Sequence, residues 1–120
     1  METLRCGRAA GMKALRIDVD GAMKPVEIPG ESIEQQNESI YGHLGGYFDC
    51  VRLSADAVML VDDEGLLKGL PENLAAMMIA GYPMLVGTAL IVGLEAAEDG
   101  DIFTDCPERF LCFADTITSI

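Results

Sequence analysis

The sequence predicts a single compact α+β domain, with a mostly antiparallel sheet of about five strands and two to three helices. Short apolar segments bounded by Gly, Pro and Asp are typical of hairpin strands. Capping residues precede several helical patterns. No linker or internal repeat divides the chain of 120 residues, a common size for one domain. We therefore predict an N-terminal extension over residues 1–11 and one domain over residues 12–120.

Five segments have the length and the residue types of strands. The first and second are joined by Asp20 and Gly21, a dipeptide that favours a tight hairpin. The last is an uninterrupted apolar run rich in β-branched residues, so we predict that it forms the centre of the sheet. A polar, acidic loop is expected over residues 95–101. The predicted strands cover residues 14–18, 23–28, 47–53, 57–61 and 85–94.

Capping patterns indicate where the helices begin. Ser32 and Gln35 have the spacing of a capping box, and a Gly-Gly pair ends the helix that follows them. A second helix is predicted over residues 74–80, between a Pro-Glu-Asn start and a glycine. Asp105, followed by Pro107, favours a last helix. The final residues, 116–120, are ambiguous between helix and strand.

The chain is strongly acidic, with 20 Asp and Glu against 8 Lys and Arg and a formal net charge of −12. Such a field repels phosphate backbones and anionic membranes, so direct nucleic-acid binding and membrane attachment are not expected. A basic surface on a partner protein would be attracted. Acidity that serves solubility alone is the competing interpretation.

The cysteines are dispersed, without a Cys-x-x-Cys pair, and this spacing is typical of reduced thiols in a cytoplasmic protein. A zinc site with the single histidine is disfavoured, because the paired ligands of structural zinc are missing. We therefore expect neither a metal nor another cofactor. The residues concerned are Cys6, Cys50, Cys106, Cys112 and His43.

Residues 74–94 carry no formal charge and are long enough to cross a bilayer. Glycines and Pro83 interrupt them, and acidic residues flank them without a basic anchor. A helix, a turn and a buried strand are therefore the better prediction, and the chain is expected to be soluble.

Asp18 and Asp20 follow an apolar segment in the manner of haloacid-dehalogenase-type phosphatases, with Asp18 as nucleophile and Asp20 as general acid. Asp62 and Asp63 resemble the late acidic motif of those enzymes. The order of residues argues against the enzyme, because the lysine that should precede the acidic pair follows it, at Lys68. A hairpin turn explains the same Asp-Gly sequence.

Several short motifs occur in order along the chain: Lys13-Ala14-Leu15, Gly46-Tyr47-Phe48, DEGLLKGLPEN over residues 63–73, Val86-Gly87 and Phe103-Thr104-Asp105. Together they resemble the family called domain of unknown function thirty-eight forty-six. The resemblance covers residues 13–108, and its most specific part is residues 63–73. It implies a small protein of phages, plasmids and other mobile elements of Gram-positive bacteria. It implies no catalytic residues.

The favoured hypothesis is a non-enzymatic interaction module that binds an unidentified protein; a homo-oligomer stays open. The candidate partner-binding residues are Glu34, Glu38, Asp62, Asp63, Glu64 and Asn73. The main alternative is an acidic DNA mimic that inhibits a defence or DNA-binding protein. It requires Glu31, Glu34 and Glu38 to share one face with residues 62–64 and 95–101. A phosphatase-like enzyme is the third and least favoured hypothesis.

Overall fold

The computed structural model describes residues 12–29, 32–98 and 100–118. Six strands form one sheet in the described part of the chain. They are β1 (Met12–Ile17), β2 (Met23–Ile28), β3 (Phe48–Ser54), β4 (Ala57–Asp62), β5 (Ala89–Ala97) and β6 (Gly100–Thr104). The helices are α1 (Ile33–Leu44), α2 (Gly65–Lys68), α3 (Leu74–Ala80) and α4 (Glu108–Thr118). The predicted α+β class is confirmed.

The strand order is β2-β1-β5-β4-β3, and each neighbouring pair is antiparallel. The predicted central strand is confirmed, although β5 begins at Ala89 instead of residue 85. Ile17 of β1 and Val61 of β4 both pair with Ala89, from opposite sides. Strands β1 and β4 therefore end at the same end of the sheet. The pairing of β5 with β1 ends at Ile91, and β5 pairs with β6 from Gly93 to Ala97.

Side chains alternate between the two faces of the sheet, and each face has its own core. On the first face, Leu15, Met59 and Ile91 are fully buried together with Ala76 of α3, and Phe110 of α4 packs against them. On the second face, the core contains buried side chains of α1. These are Ile40 and Leu44, packed with Ala14, Leu60 and Leu90. The sheet thus lies between α1 on one side and α3 with α4 on the other.

The predicted acidic loop over residues 95–101 is wrong, because this segment belongs to the hairpin of β5 and β6. Leu94 pairs with Phe103, and Glu95 pairs with Ile102. The turn depends on Gly100, whose φ of 119° is accessible to glycine at little cost. Phe103 packs against the second core, and this burial favours strand over loop.

Residues 74–94, the uncharged segment, form α3, a turn and most of β5, as predicted. No helix in residues 12–29, 32–98 and 100–118 combines the length and the apolar character of a membrane span.

Candidate functional site

The family-like segment over residues 63–73 connects β4 to α3, and an ion pair anchors its first part. Lys68 Nζ donates to Asp62 Oδ2 at 2.7 Å and to the Gly45 carbonyl at 3.1 Å. Asp62 Oδ1 accepts from the Glu64 N–H at 2.8 Å. This contact fixes α2 against the end of β4 and the C-terminal cap of α1.

Burial alone would raise the pKa of Asp62, but the hydrogen bonds from Lys68 and the Glu64 N–H outweigh it, so the pKa lies below its ordinary value. The Asp62 side chain is only 2% exposed, whereas the Lys68 side chain remains 37% exposed. The lysine thus holds a buried negative charge in place.

The variant Lys68→Met should be less stable than the parent protein at neutral pH, and the difference should shrink as the pH falls to about 5. Without the ammonium group, burial raises the Asp62 pKa above its unfolded value. The folded state then binds a proton that the unfolded chain has lost, so acid stabilises the variant. In the parent the shift is opposite, and the stability from Asp62 is lost only as pH falls below the ordinary value of 3.8.

Urea unfolding midpoints of parent and variant, at neutral pH and at about pH 5, measure this effect. The double variant Asp62→Asn/Lys68→Met is the matched control, since it has no buried carboxylate and should show little of this pH dependence. A stability loss in Lys68→Met that is equal at both pH values would contradict the assigned role of Asp62.

Asn73 anchors the other end of the segment and is fully buried. Its Nδ2 donates to the Ile17 carbonyl at 3.0 Å and to the Gly87 carbonyl at 2.9 Å. Its Oδ1 accepts from the Ala76 N–H at 3.0 Å, which caps α3. One side chain thereby joins β1, the segment before β5 and the start of α3.

Close backbone approach holds the segment against residues 85–87. A Cβ on Gly65 would lie 2.6 Å from Val86 Cγ2, and one on Gly87 would lie 2.8 Å from Leu70 Cδ1. The Gly87 N–H also donates to the Pro71 carbonyl at 2.8 Å. Both glycines therefore allow α2 and the segment before β5 to lie side by side.

Leu66 and Leu67 differ from their neighbours because they point away from the core. Leu66 is 61% exposed and Leu67 is 87% exposed. They line a groove of about 470 Å³ between α2, β3 and the segment before β5. We call it the β3 groove. Its other lining residues are Asp49, Cys50, Val51, Val61, Asp62, Asp63, Gly65, Tyr82, Met84, Leu85 and Val86.

The β3 groove combines exposed apolar side chains with carboxylates. Tyr82 and Met84 are about half exposed, and Asp49 and Asp63 are exposed beside them. Among the described residues that line it, none is basic. Apolar surface held open to water is typical of interaction sites, and the two carboxylates make this site attractive to cationic groups.

Met84 lies at the groove with a φ of 64°, in the left-handed region. For a residue with a Cβ this conformation costs about 1–2 kcal/mol. Such strain persists where the surrounding structure fixes the backbone, and it concentrates at functional sites. Here it places an apolar side chain, 54% exposed, on the groove wall.

The six predicted partner-binding residues fall into two groups. Glu34, Glu38, Asp63 and Glu64 are exposed, whereas Asp62 and Asn73 are 6% and 0% exposed. Asp62 and Asn73 were predicted to bind a partner, but their side chains are buried and make internal hydrogen bonds. Only Asp63 of the four exposed acids lines the groove.

The acidic segments do not form a compact group. Asp63 follows the end of β4 that pairs with Ala89, and Glu95 lies at the other end of β5. Six residues of strand separate the two ends, which corresponds to about 20 Å. Glu34 lies in the first turn of α1 on the second face, and Glu31 lies outside the described residues.

Asp18 and Asp20 belong to the turn between β1 and β2, so the predicted hairpin is present, although Asp18 was predicted to be the last residue of the first strand. The Gly21 N–H donates to the Asp18 carbonyl at 2.9 Å, and Asp20 Oδ1 accepts from the Ala22 N–H at 2.9 Å. Asp18 Oδ1 also accepts from Arg16 Nε at 2.9 Å. Both carboxylates therefore have structural partners.

In residues 12–29, 32–98 and 100–118, no three His, Cys, Asp or Glu side chains are grouped to hold a metal ion. Cys106 is buried in the first core, and burial raises the pKa of its thiol to about 12. Cys50 is exposed on β3.

Five groove residues were not predicted from the sequence: Asp49, Leu66, Leu67, Tyr82 and Met84. One pattern in the sequence does indicate the leucines. Leu66 and Leu67 directly precede Lys68, and neighbouring positions on a helix point in different directions. A helical turn that directs Lys68 towards the body of the domain therefore cannot bury both leucines. Residues from β3 and from the segment before β5 are distant in sequence, and their meeting needs the sheet order.

The fold and the groove define a small α+β domain with an acidic, apolar cleft beside an edge strand. A family model described as Domain of unknown function (DUF3846) matches residues 12–112, and the chain belongs to that family. No curated protein and no solved structure is significantly similar to it.

Proposed function

We propose that this chain is a cytoplasmic, non-enzymatic protein-interaction module of a mobile genetic element, and that it binds a partner protein at the β3 groove. The exposed pair Leu66 and Leu67 carries the proposal. Lys68 and Asn73 in the same segment make internal hydrogen bonds, whereas the side chains of Leu66 and Leu67 are mostly exposed. The mobile-element context rests on the family resemblance.

Three further features support an interaction site over a solvated surface. The backbone of Gly65 lies so close to the Val86 side chain that a Cβ has no room there, and this packing fixes the position of α2 at the groove. Strained Met84 adds apolar surface. Apolar side chains surrounded by charged groups are the arrangement found at protein interfaces.

The DNA-mimic hypothesis has less support. It needs carboxylates along one continuous track, but Asp62 is buried against Lys68. The acids near Asp63 and those near Glu95 lie at opposite ends of β5. The apolar lining of the groove also has no counterpart on a duplex backbone.

A pull-down from the native host, with immobilised parent protein and two variants, tests the proposal. Leu67→Ser removes apolar surface from the groove at little cost in stability, because Leu67 is 87% exposed. Val19→Ser is the matched control: Val19 is 39% exposed in the turn beyond β1. Three strand spacings, about 14 Å, separate β1 from β3.

We expect the parent and Val19→Ser to retain the same partner, and Leu67→Ser to retain at least about tenfold less of it, as for an interface hot spot. Equal retention by all three proteins, or equal loss in both variants, would refute the groove as the binding site.

A further inference from the structure

We propose that the partner binds by strand addition: an extended segment that carries Lys or Arg beside apolar residues pairs with the free edge of β3. This inference rests on the proposed function and specifies the partner. Strand β3 is the last strand in the sheet order, with β4 on one side and no described strand on the other. The groove lies directly beside this edge.

The alternation of hydrogen bonds between β3 and β4 determines which backbone groups of β3 point away from β4. The Asp63 N–H donates to the Tyr47 carbonyl at 3.1 Å, in register with the pairing of Asp49 with Val61. Because hydrogen-bonded positions alternate in antiparallel pairs, Tyr47, Asp49 and Val51 face β4. Phe48, Cys50 and Arg52 then direct their N–H and C=O groups to the free edge.

The two strands at the ends of the strand order, β2 and β3, differ in how they are protected against pairing with another strand. Strand β2 carries Pro25, which offers no N–H and blocks pairing, next to Lys24. Strand β3 has no proline, and its pairing is regular from Phe48 to Arg52. Its charged side chains are Asp49, which lines the groove, and Arg52, whose Nε donates to the Ser54 carbonyl of the same strand at 2.9 Å. The register shift comes only between Arg52 and Ser54. A stretch of regular edge thus remains available beside the groove.

Side-chain alternation predicts the chemistry of the added strand. Asp49 and Val51 pair with Val61 and Met59 and therefore face the groove side of the sheet. Every second side chain of an added strand would lie on this groove side of the sheet. There a basic side chain would meet Asp49 and Asp63, and an apolar one would contact Leu66.

Charge selects the occupant. A second copy of this chain would bring a net charge of −12 and the same Asp49 and Asp63 to the contact, so β3 pairing between two copies is opposed by like charges. A basic segment has the complementary charge, and its attraction falls as salt rises.

The probe is the peptide fluorescein-Thr-Lys-Thr-Leu-Thr-Lys-Thr-amide, labelled through its N-terminal amine so that both Lys side chains keep their charge; it places Lys and Leu on one side of an extended chain. Binding is followed by fluorescence anisotropy, with a control peptide that has Glu in place of Lys. We expect the Glu peptide to bind at least about tenfold more weakly. Absence of binding by the Lys peptide up to about 1 mM would overturn the proposal.

Amide hydrogen exchange of the parent protein reports the geometry without any substitution. Saturating Lys peptide should slow exchange at Phe48, Cys50 and Arg52, whose N–H groups gain acceptors. The amides of Asp49 and Val51 already bond to β4 and serve as internal controls. Unchanged exchange at the three outward amides, with peptide bound, would show that binding does not use the edge.

The variant Cys50→Pro removes one outward N–H while leaving the ladder to β4 intact, since that N–H faces away from it. Cys50→Ala keeps the N–H and is the matched control. We expect Cys50→Pro to weaken peptide binding by about tenfold or more, and Cys50→Ala by less than about twofold. Circular dichroism and thermal midpoints check that both variants fold; hydrogen exchange decides the question if Cys50→Pro does not.

The outcomes separate this inference from the proposed function. If the host partner is lost with Leu67→Ser but retained by Cys50→Pro, the groove binds it without strand addition, and only the inference falls. If Leu67→Ser has no effect, the proposed function falls. If sedimentation shows a dimer of the parent that Cys50→Pro dissociates, the edge serves self-association, and the basic partner is wrong.

Discussion

Asn73→Asp is expected to lower the free energy of unfolding by about 3–5 kcal/mol, a large part of the stability of a small domain. The change keeps the shape of the side chain and its cap on the Ala76 N–H. It removes both donors to the carbonyls of Ile17 and Gly87 and places a buried negative charge against those oxygens. Urea unfolding followed by circular dichroism measures the loss.

Ser32→Ala is the matched control, because Ser32 caps α1 at the surface, with its Oγ accepting from the Gln35 N–H at 3.2 Å. Losing that cap should cost about 1 kcal/mol. Lower pH should partly restore Asn73→Asp by protonating the introduced carboxylate. If both variants lost the same stability, the link from Asn73 to β1 would contribute nothing beyond capping.

Gly65→Ala should destabilise the domain by about 1–3 kcal/mol, although alanine favours a helix. The new Cβ would lie 2.6 Å from Val86 Cγ2, and the side chain of a buried valine has few other rotamers. The contact should push α2 away from the segment before β5 and change the width of the β3 groove. Thermal unfolding and the affinity of the Lys peptide are the two measurements.

Gly42→Ala provides a control of opposite sign. Gly42 is an exposed glycine in α1, and a Cβ there would meet nothing within 4 Å. The substitution should stabilise the domain by about 0.5–1 kcal/mol through helix propensity alone. The double variant Gly65→Ala/Val86→Ala should recover part of the loss. Stabilisation by Gly65→Ala itself would contradict the close packing of α2.

Local patterns in the sequence were sufficient to predict most elements of this fold. The helix cap at Ser32 and the Asp-Gly turn after β1 depend on neighbouring residues, and the structure has the Ser32 Oγ accepting from the Gln35 N–H and a hairpin at the turn. The hairpin of β5 and β6 was missed because its acidic turn outweighed the short apolar pair Ile102 and Phe103. The pair indicates a strand only once the packing of Phe103 against the core on the second face is known.

The site was less predictable, because charge was used as the main guide to a surface. Asp62 and Asn73 are polar residues that the fold uses internally. The Pro-Glu-Asn pattern places Asn73 at a helix start, but no local pattern shows that either side chain is buried. The groove depends instead on long-range contacts, such as the one between Gly65 and Val86. The exposed leucines of the groove were not considered separately, because residues 63–73 were interpreted as one motif.

The central position of β5 has a consequence for synthesis of the chain. Strands β1 and β4 leave the ribosome inside local hairpins, but each keeps one unpaired, apolar edge until Ala89 and the residues after it emerge. Non-local pairing of this kind slows folding and exposes strand edges to aggregation. Translation that stalls or terminates before β5 should therefore release insoluble fragments instead of a smaller folded domain.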